Sequence, residues 1–506
     1  MGLHDFTIYD MICRNALLYP DRTAIVFGDN CLNYCNYKRA CDQCAAGLSK
    51  AGLAQGDRFA VVANNSDNFL ILYGAAAKIG AIMVPVNWRF QQEEIKGVLE
   101  DCTPKVVVAG AEYLAATVAA ASAVASVQAV YSMPFSPDLE GVLSFEDLFC
   151  DDGADEVFDV PSDAGFVIIH TAAVEGRPRG ALLSHANIMA VNLQIISGNG
   201  ISGEASHLCV LPLFHISALS MAMAVMQQAG KNVIAERFDA AEALRLIERE
   251  RVSVFGCFAP MLKMLLEKHG EKPADLSSVL CVGGLEDPES ILKFLQAAPN
   301  AVFYSGFGQT EAMAITNCNA AERPGSAGRP SLLSRVAIFD DSDREVPTGQ
   351  VGEICVRSPA VFLGYWGLES ETKYAFRNGW HHTGDLGRFD EQGYLWYIKR
   401  KAEKELIKPG GENVYPAEVE KAILSHVGIE EVCVIGVPDS QWREAIKAIC
   451  VRRPGAKVEA QEVIDWVAAR IARYKKPKQV IFVKELSKTK EGKIDRENVK
   501  DEYGGN

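Results

Sequence analysis

Over residues 20–330 short apolar runs alternate with amphipathic stretches. Phe59-Ala60-Val61-Val62-Ala63 is followed by an amphipathic segment at 68–78, and Lys105-Val106-Val107-Val108-Ala109 repeats the pattern. Gly165-Phe166-Val167-Ile168-Ile169, Ser253-Val254-Phe255 and Val279-Leu280-Cys281-Val282 continue it. Strands that alternate with helical patterns predict an α/β fold with layered, largely parallel sheets.

The texture changes between residues 326 and 398. Runs shorten and turn residues multiply, among them Gly328, Pro330, Pro347, Gly349, Gly364, Gly379, Gly387 and Gly393. This predicts a compact antiparallel β subdomain. A charged run, Lys399-Arg400-Lys401-Ala402-Glu403-Lys404-Glu405, then marks a composition shift and a candidate hinge at 399–405. Residues 406–506 read as a smaller α+β unit: helix 416–426, strands 432–437 and 447–452, and helix 460–474. No internal repeat or low-complexity region interrupts the chain.

The 506 residues suffice for about three structural units. The chain carries 51 Lys and Arg against 65 Asp and Glu, a formal charge of -14, which argues against a nucleic-acid partner. The imbalance is local. Residues 401–506 hold 20 Lys and Arg against 18 Asp and Glu, so a near-neutral tail follows an acidic body. Such a tail suits a polyanionic substrate, and charge variation between domains explains it equally well.

The 14 cysteines are scattered, as in a reducing compartment. Cys41 and Cys44 have zinc-like spacing, but no second pair matches them, and the segment reads as a strand entering an amphipathic helix. The N-terminus carries Asp5 and Asp10 and lacks a long apolar run, so a cytoplasmic protein is expected. An Ala-rich stretch at 115–130 is short and weakly apolar. It reads as a packing helix, so no integral membrane segment is expected.

Four stretches carry candidate chemistry. Tyr304-Ser305-Gly306-Phe307-Gly308-Gln309-Thr310-Glu311 offers small residues for close backbone approach, a ring that can stack on a base, a hydroxyl and a carboxylate that can hold Mg2+. Gly379-Trp380-His381-His382-Thr383-Gly384-Asp385-Leu386-Gly387 sets an Asp in a Gly-framed turn, where it can accept bonds from ribose hydroxyls. Lys408-Pro409-Gly410-Gly411-Glu412-Asn413-Val414-Tyr415-Pro416 and Lys488-Thr489-Lys490-Glu491-Gly492-Lys493-Ile494-Asp495-Arg496 follow. Each is weak alone; the ordered set is not.

With these residues the chain resembles the adenylate-forming superfamily of acyl-CoA synthetases, luciferases and peptide-synthetase adenylation domains, from about residue 8 to residue 500. Gly56-Asp57-Arg58, Leu211-Pro212-Leu213-Phe214-His215, Gly436-Val437-Pro438-Asp439 and Tyr474-Lys475-Lys476-Pro477 add to the likeness. The resemblance implies an AMP-binding N-terminal domain at 1–398, a hinge at 399–405 and a mobile C-terminal lid at 406–506. It implies the reaction of a carboxylic acid with ATP and coenzyme A through an acyl-adenylate, giving acyl-CoA, AMP and diphosphate. Gly283, Gly284, Leu285, Phe307 and Gly308 would frame the adenine. Asp385 and Arg400 would hold the ribose. Thr171, Gly176, Arg179 and Gly180 would belong to the phosphate loop. Thr310 would contact the α-phosphate and Glu311 would ligate Mg2+. Lys493 would bridge the attacking carboxylate and the α-phosphate. Gly411 would face the CoA tunnel, and His215 would lie beside the acyl pocket. The resemblance allows a homodimer.

The sequence departs from this family at the phosphate loop, which usually reads T-S-G-[ST]-T-G-x-P-K-G. Here it is Thr171-Ala172-Ala173-Val174-Glu175-Gly176-Arg177-Pro178-Arg179-Gly180. Two hydroxyl positions have become Ala172 and Val174, a third has become a carboxylate, Glu175, and a glycine has become Ala173. Each hydrogen bond to a charged oxygen is worth about 1.5–3 kcal/mol. Looser binding of ATP and diphosphate is therefore expected, with readier running toward ATP synthesis. Two residues are inserted near the hinge, which places its pivot between Glu403 and Glu405, and Arg443 stands where relatives often carry Gly. The acyl-pocket candidates His215, Ile216, Ser217, Phe258, Ala259, Gly283, Gly306 and Ala312 are mostly apolar or small, which favours a hydrophobic acid; Arg89 is the one basic residue expected nearby. Two alternatives stay open: an adenylating enzyme that serves a carrier protein, and a nucleotide- or acyl-binding protein whose catalysis has lapsed.

Overall fold

The computed structural model describes residues 2–134, 139–174, 177–401, 406–409, 412–439, 442–489 and 493–505; the side chains at 172–174, 177–178 and 443 also lie outside the description. The expected roles of Gly176 and Gly411, and the pivot at Glu403 to Glu405, fall outside the described residues. The chain forms two compact units. One comprises Met1–Trp88, Leu99–Ile169 and Gly180–Lys399, the other Arg89–Val98, His170–Arg179 and Arg400–Asn506.

The protein is mixed α/β and multidomain. In the first unit a nine-stranded sheet runs in the order Arg329–Pro330, Thr316–Asn319, Val302–Ser305, Cys281–Leu285, Val254–Phe258, Ser206–Cys209, Lys231–Ile234, Thr23–Phe27, Asn30–Asn33. Its six central strands are parallel, and the outer three are antiparallel. An eight-stranded sheet is ordered Gly364–Tyr365, Arg177–Ser184, Gly165–Val174, Ile82–Pro85, Arg58–Val62, Val106–Gly110, Ala129–Met133, Val142–Ser144.

Helices cover both faces of the parallel strands, which is why these strands read as unbroken apolar runs. Val106–Gly110 is buried at every position. The helix Asp67–Ile79 starts where the Ser66 side chain accepts from Phe69 N and stops at Gly80 in the left-handed conformation. It is buried on nearly every side, as its all-round apolar sequence requires. The Ala-rich stretch departs from expectation: its helix is only Leu114–Ala121, and Ala129–Met133 is a strand. Alanine favours helix, but Val130 and Tyr131 pair instead with Val107 and Val108 at the sheet.

The third layer is a four-stranded sheet of Arg335–Phe339, Gly352–Arg357, His381–Phe389 and Leu395–Arg400, the first three antiparallel. Cys41 and Cys44 sit in the apolar core on the helix Tyr34–Lys50, and burial pushes both thiols far above their usual range. Cys31 and Cys35 are exposed, so the four do not converge.

The second unit carries a three-stranded sheet. Ile429–Asp439 is antiparallel to Arg443–Arg452, which is parallel to Gln479–Val483. The helices Pro416–Leu424 and Ala460–Ala468 bury Val419, Ile423, Val463 and Val467 against it. Lys475 is buried here and ion-paired with Glu418 at 2.5 Å. Among the described residues no helix is long and apolar enough to cross a membrane.

Candidate active site

The carboxyl ends of adjacent parallel strands collect the first unit's candidate residues. Ser206–Cys209 leads into Leu211, Pro212 and His215; Val254–Phe258 ends at Phe258; Cys281–Leu285 ends in Gly283, Gly284 and Leu285; Val302–Ser305 leads into Gly306 to Glu311. In open α/β sheets this edge is where ligands bind, because loops there diverge and leave a crevice.

Local packing explains the glycines. Gly284 has φ +150°, and a Cβ on it would fall 1.8 Å from the Cys257 carbonyl oxygen. A Cβ on Gly306 would fall 2.2 Å from the Thr316 carbonyl oxygen. At Gly283, by contrast, a Cβ would stand in ordinary contact with Met221 Cε at 3.8 Å and Asn199 Nδ2 at 4.0 Å, without overlap. His215 is half-buried, precedes the helix Ile216–Gln227 and packs its ring 4.4 Å from Phe214.

After Ser305 the chain turns tightly. Gln309 and Ala312 exchange backbone hydrogen bonds of 3.0 and 3.1 Å, which leaves Thr310 and Glu311 at the tip, both half-buried. The Phe307 ring packs on the core and stacks at 6.3 Å on Tyr397. One Glu311 carboxylate oxygen accepts from the Tyr365 hydroxyl at 2.9 Å, and the Glu311 carbonyl accepts from Phe362 N at 2.9 Å. Among the described residues no Lys or Arg pairs with Glu311. A half-buried carboxylate beside a hydroxyl is a hard oxygen donor set, which fits Mg2+.

Asp385 corrects one expectation. It lies within the strand His381–Phe389, not in a turn, and is 1% exposed. The glycine before it supplies a bulge: Gly384 has φ +70°, and the strand register slips between Glu353 and Cys355. Thr383 Oγ1 accepts from Asp385 N at 3.1 Å and donates to the Ile354 carbonyl at 2.7 Å. The Gln309 side-chain amide donates to the Asp385 carboxylate and, at 3.0 Å, to the Thr383 carbonyl. The structure thus ties the ribose candidate to the tip that carries Thr310 and Glu311.

Beneath this bulge Glu353, Cys355 and His382 bring metal-type donor atoms within 4.8 Å of one another, all buried. Arg377 already occupies the cluster's carboxylate, with 3.0 Å to Glu353 and 3.1 Å to Asp343, and Gly384 N donates to the other Glu353 oxygen at 2.8 Å. The cluster therefore reads as a hydrogen-bonded support for the bulge.

The remaining candidates belong to the second unit. Thr171 Oγ1 donates to the Arg179 carbonyl at 3.3 Å. Arg400 reaches the Tyr415 hydroxyl at 3.4 Å. Lys493 is exposed and its carbonyl accepts from Thr489 N at 2.7 Å. Arg89 pairs with Glu412 at 2.7 Å inside this unit. Gly180, in the first unit, is buried, and its carbonyl accepts from Trp366 N at 2.7 Å.

Residues 13–366 match the AMP-binding enzyme family, and residues 418–493 match the AMP-binding enzyme C-terminal domain. The chain belongs to the AMP-binding enzyme family. A feruloyl-CoA synthase of Amycolatopsis sp. is 34% identical over 503 residues, covering 97% of this chain and 98% of its own. A long-chain-fatty-acid–CoA ligase of Mycobacterium tuberculosis is 32% identical over 503 residues, with 97% and 98% covered. Among solved structures, a putative long-chain-fatty-acid CoA ligase of Rhodopseudomonas palustris superposes with a TM-score of 0.74 at 41% identity, covering 79% of this chain and 100% of that one. In this family member, sequence reasoning missed the supports Gln309, Glu353 and Tyr365. Gln309 stands inside the 304–311 stretch, but nothing in the sequence says that its amide reaches Asp385, 76 positions away.

Proposed function

We infer that this AMP-binding family member is an AMP-forming acyl-CoA synthetase, an acid–thiol ligase that activates a hydrophobic carboxylic acid with ATP and transfers it to coenzyme A. The observation that carries the reading is the joining of Asp385 to the Thr310–Glu311 tip through Gln309, at the same sheet edge as Gly283 to Leu285. The residues read as ribose acceptor, phosphate contact and cation carboxylate are thereby linked, next to the strand that ends in Gly283 to Leu285, which supports the reading.

In this mechanism Asp385 accepts from the ribose hydroxyls, joined by Arg400. Phe307, Gly308 and the Gly283-Gly284-Leu285 edge flank the adenine. Thr310 donates to the α-phosphate. Glu311 would hold Mg2+, which when bound offsets the negative charge of the phosphates. Thr171, Gly176, Arg179 and Gly180 would serve the phosphates. The acid's carboxylate attacks the α-phosphorus, an anion approaching an anion. The Lys493 ammonium supplies the compensating charge, and diphosphate leaves. The CoA thiolate then attacks the acyl carbonyl and AMP leaves. In this reading His215 serves beside the acyl group.

The acid is hydrophobic in this reading because the first unit's pocket candidates Ile216, Phe258, Ala312 and Gly283 bring no cation. Relatives named for feruloyl and long-chain fatty acyl groups support aromatic or fatty acids. The altered phosphate loop adds loose holding of diphosphate, which raises the saturating concentrations of ATP and diphosphate without moving the equilibrium.

AMP release with free CoA over a panel of aromatic, alicyclic and fatty acids tests the assignment. Thioester formation with at least one apolar acid is expected. Transfer only to a carrier protein, or no adenylate trapped by hydroxylamine with any acid, would overturn it.

A further inference from the structure

The segment 361–366 does two jobs that the family assignment leaves unexplained. On one side Gly364 and Tyr365 pair with Leu182 and Ala181, in the strand that leaves the phosphate loop, and Trp366 N donates to the Gly180 carbonyl at 2.7 Å. On the other side it grips the tip. Val361 bridges to Ala312, Phe362 N donates to the Glu311 carbonyl, and the Tyr365 hydroxyl donates to the Glu311 carboxylate at 2.9 Å.

Tyr365 itself is fixed. It is 7% exposed, its ring packs edge-on against Phe362 at 4.9 Å, and its backbone N donates to Thr372 Oγ1 at 2.9 Å. Gly364 has φ +145°, and a Cβ on it would fall 2.6 Å from Thr372 Cγ2, so the strand runs close against the Thr372 side chain. A flexible carboxylate is thereby held by a rigid phenol on a rigid strand. Preorganised ligands bind cations more tightly, because the ordering cost falls before the ion arrives.

We propose that Tyr365 is a positioning residue for Glu311: its phenol holds one carboxylate oxygen and leaves the other for a divalent cation accompanying the nucleotide. The proposal rests on the reading of Glu311 as the cation ligand. The same short strand backs Gly180, so the phosphate-loop exit and the cation carboxylate share one support. The phenol is not a catalytic group; it acts through Glu311 alone.

The test is Mn2+ binding to the full chain, followed by electron paramagnetic resonance in the presence of a non-hydrolysable ATP analogue. Three variants are compared: Tyr365→Phe, which removes one oxygen; Glu311→Gln; and Thr372→Val, which loosens the backbone anchor and leaves the phenol in place. Loss of a hydrogen bond to a charged group predicts a Mn2+ dissociation constant raised about tenfold in Tyr365→Phe. Metal-free affinity for the analogue and the KM for the acid should stay unchanged. Thr372→Val should show a smaller rise of the same sign and covers the case in which Tyr365→Phe does not fold. If Glu311→Gln weakens Mn2+ and neither of the other two does, the positioning role is wrong. If Glu311→Gln leaves Mn2+ binding intact, the cation assignment fails first.

Discussion

Gln309 offers the sharpest test of how the nucleotide site is assembled. Its amide donates to a carboxylate, Asp385, that is 1% exposed, and to the Thr383 carbonyl at 3.0 Å. Gln309→Ala removes a charge-assisted bond worth about 1.5–3 kcal/mol. If that energy orients Asp385 toward the ribose, the KM for ATP rises roughly tenfold to a hundredfold, equally at every pH. Gln309→Glu is more informative. It sets a second carboxylate against Asp385; at ~4 Å and an effective dielectric of ~20 the repulsion is about 4 kcal/mol. That corresponds to about three pKa units, enough to bring one proton of the pair from the usual carboxylate range to near neutrality. Below that value the pair shares a proton and Asp385 keeps its place. Above it both groups ionise and separate. The assay is steady-state KM for ATP between pH 6 and 8.5 for the native protein and both variants. Gln309→Glu should bind ATP nearly normally at pH 6 and poorly at pH 8.5. A Gln309→Glu enzyme whose KM for ATP matches the native one throughout would refute the coupling.

Two stability predictions rest on groups far from this chemistry. Burial pushes His185 and His207 down to about 4 from the usual 6.5; His185 packs on Phe166 and accepts from Ile8 N, and His207 Nδ1 lies 2.7 Å from Asn232 Oδ1. The unfolded chain takes these protons near pH 6.5 and the folded chain only near pH 4, so stability falls as pH drops through that window, by about 3 kcal/mol per histidine. Denaturant melts at pH 7.5 and pH 5 should show the fall, and His207→Gln should roughly halve it; an unchanged slope in that variant would contradict the assignment. Lys78 is buried and pairs with Asp42 at 3.0 Å. Lys78→Ala leaves Asp42 with Lys38 and the Tyr9 hydroxyl and should cost about 3 kcal/mol, read as a lower melting temperature; a loss below about 0.5 kcal/mol would show that Lys38 alone suffices.

The parallel core was legible because its strands are buried on both faces, so Val106 to Ala109 and Phe59 to Val62 announce themselves without a partner in view. The Ala-rich stretch misled because composition favours helix, whereas Val130 and Tyr131 obtain burial and ladder bonds from Val107 and Val108. Asp385 was placed in a turn because glycines flank it; a single left-handed Gly384 inside a strand leaves the same trace as a turn. Supports such as Gln309 and Tyr365 were not legible because they act across 76 and 54 residues, through side chains whose meaning depends on which strands become neighbours. Glu311 and Asp385 could be marked as carboxylates with work to do, but not what holds each in place.

Lys493 carries the claim on which the two-step chemistry depends, that one ammonium near the end of the chain serves carboxylate attack and is dispensable afterwards. The decisive measurement separates the half-reactions in Lys493→Ala. Acyl-adenylate formation, followed by diphosphate exchange into ATP, should fall about a hundredfold to a thousandfold, as when one electrostatic contact to a developing charge is lost. Conversion of synthetic acyl-adenylate and CoA to the thioester should proceed near the native rate. Undiminished adenylate formation in Lys493→Ala, or equal loss in both steps, would contradict the account.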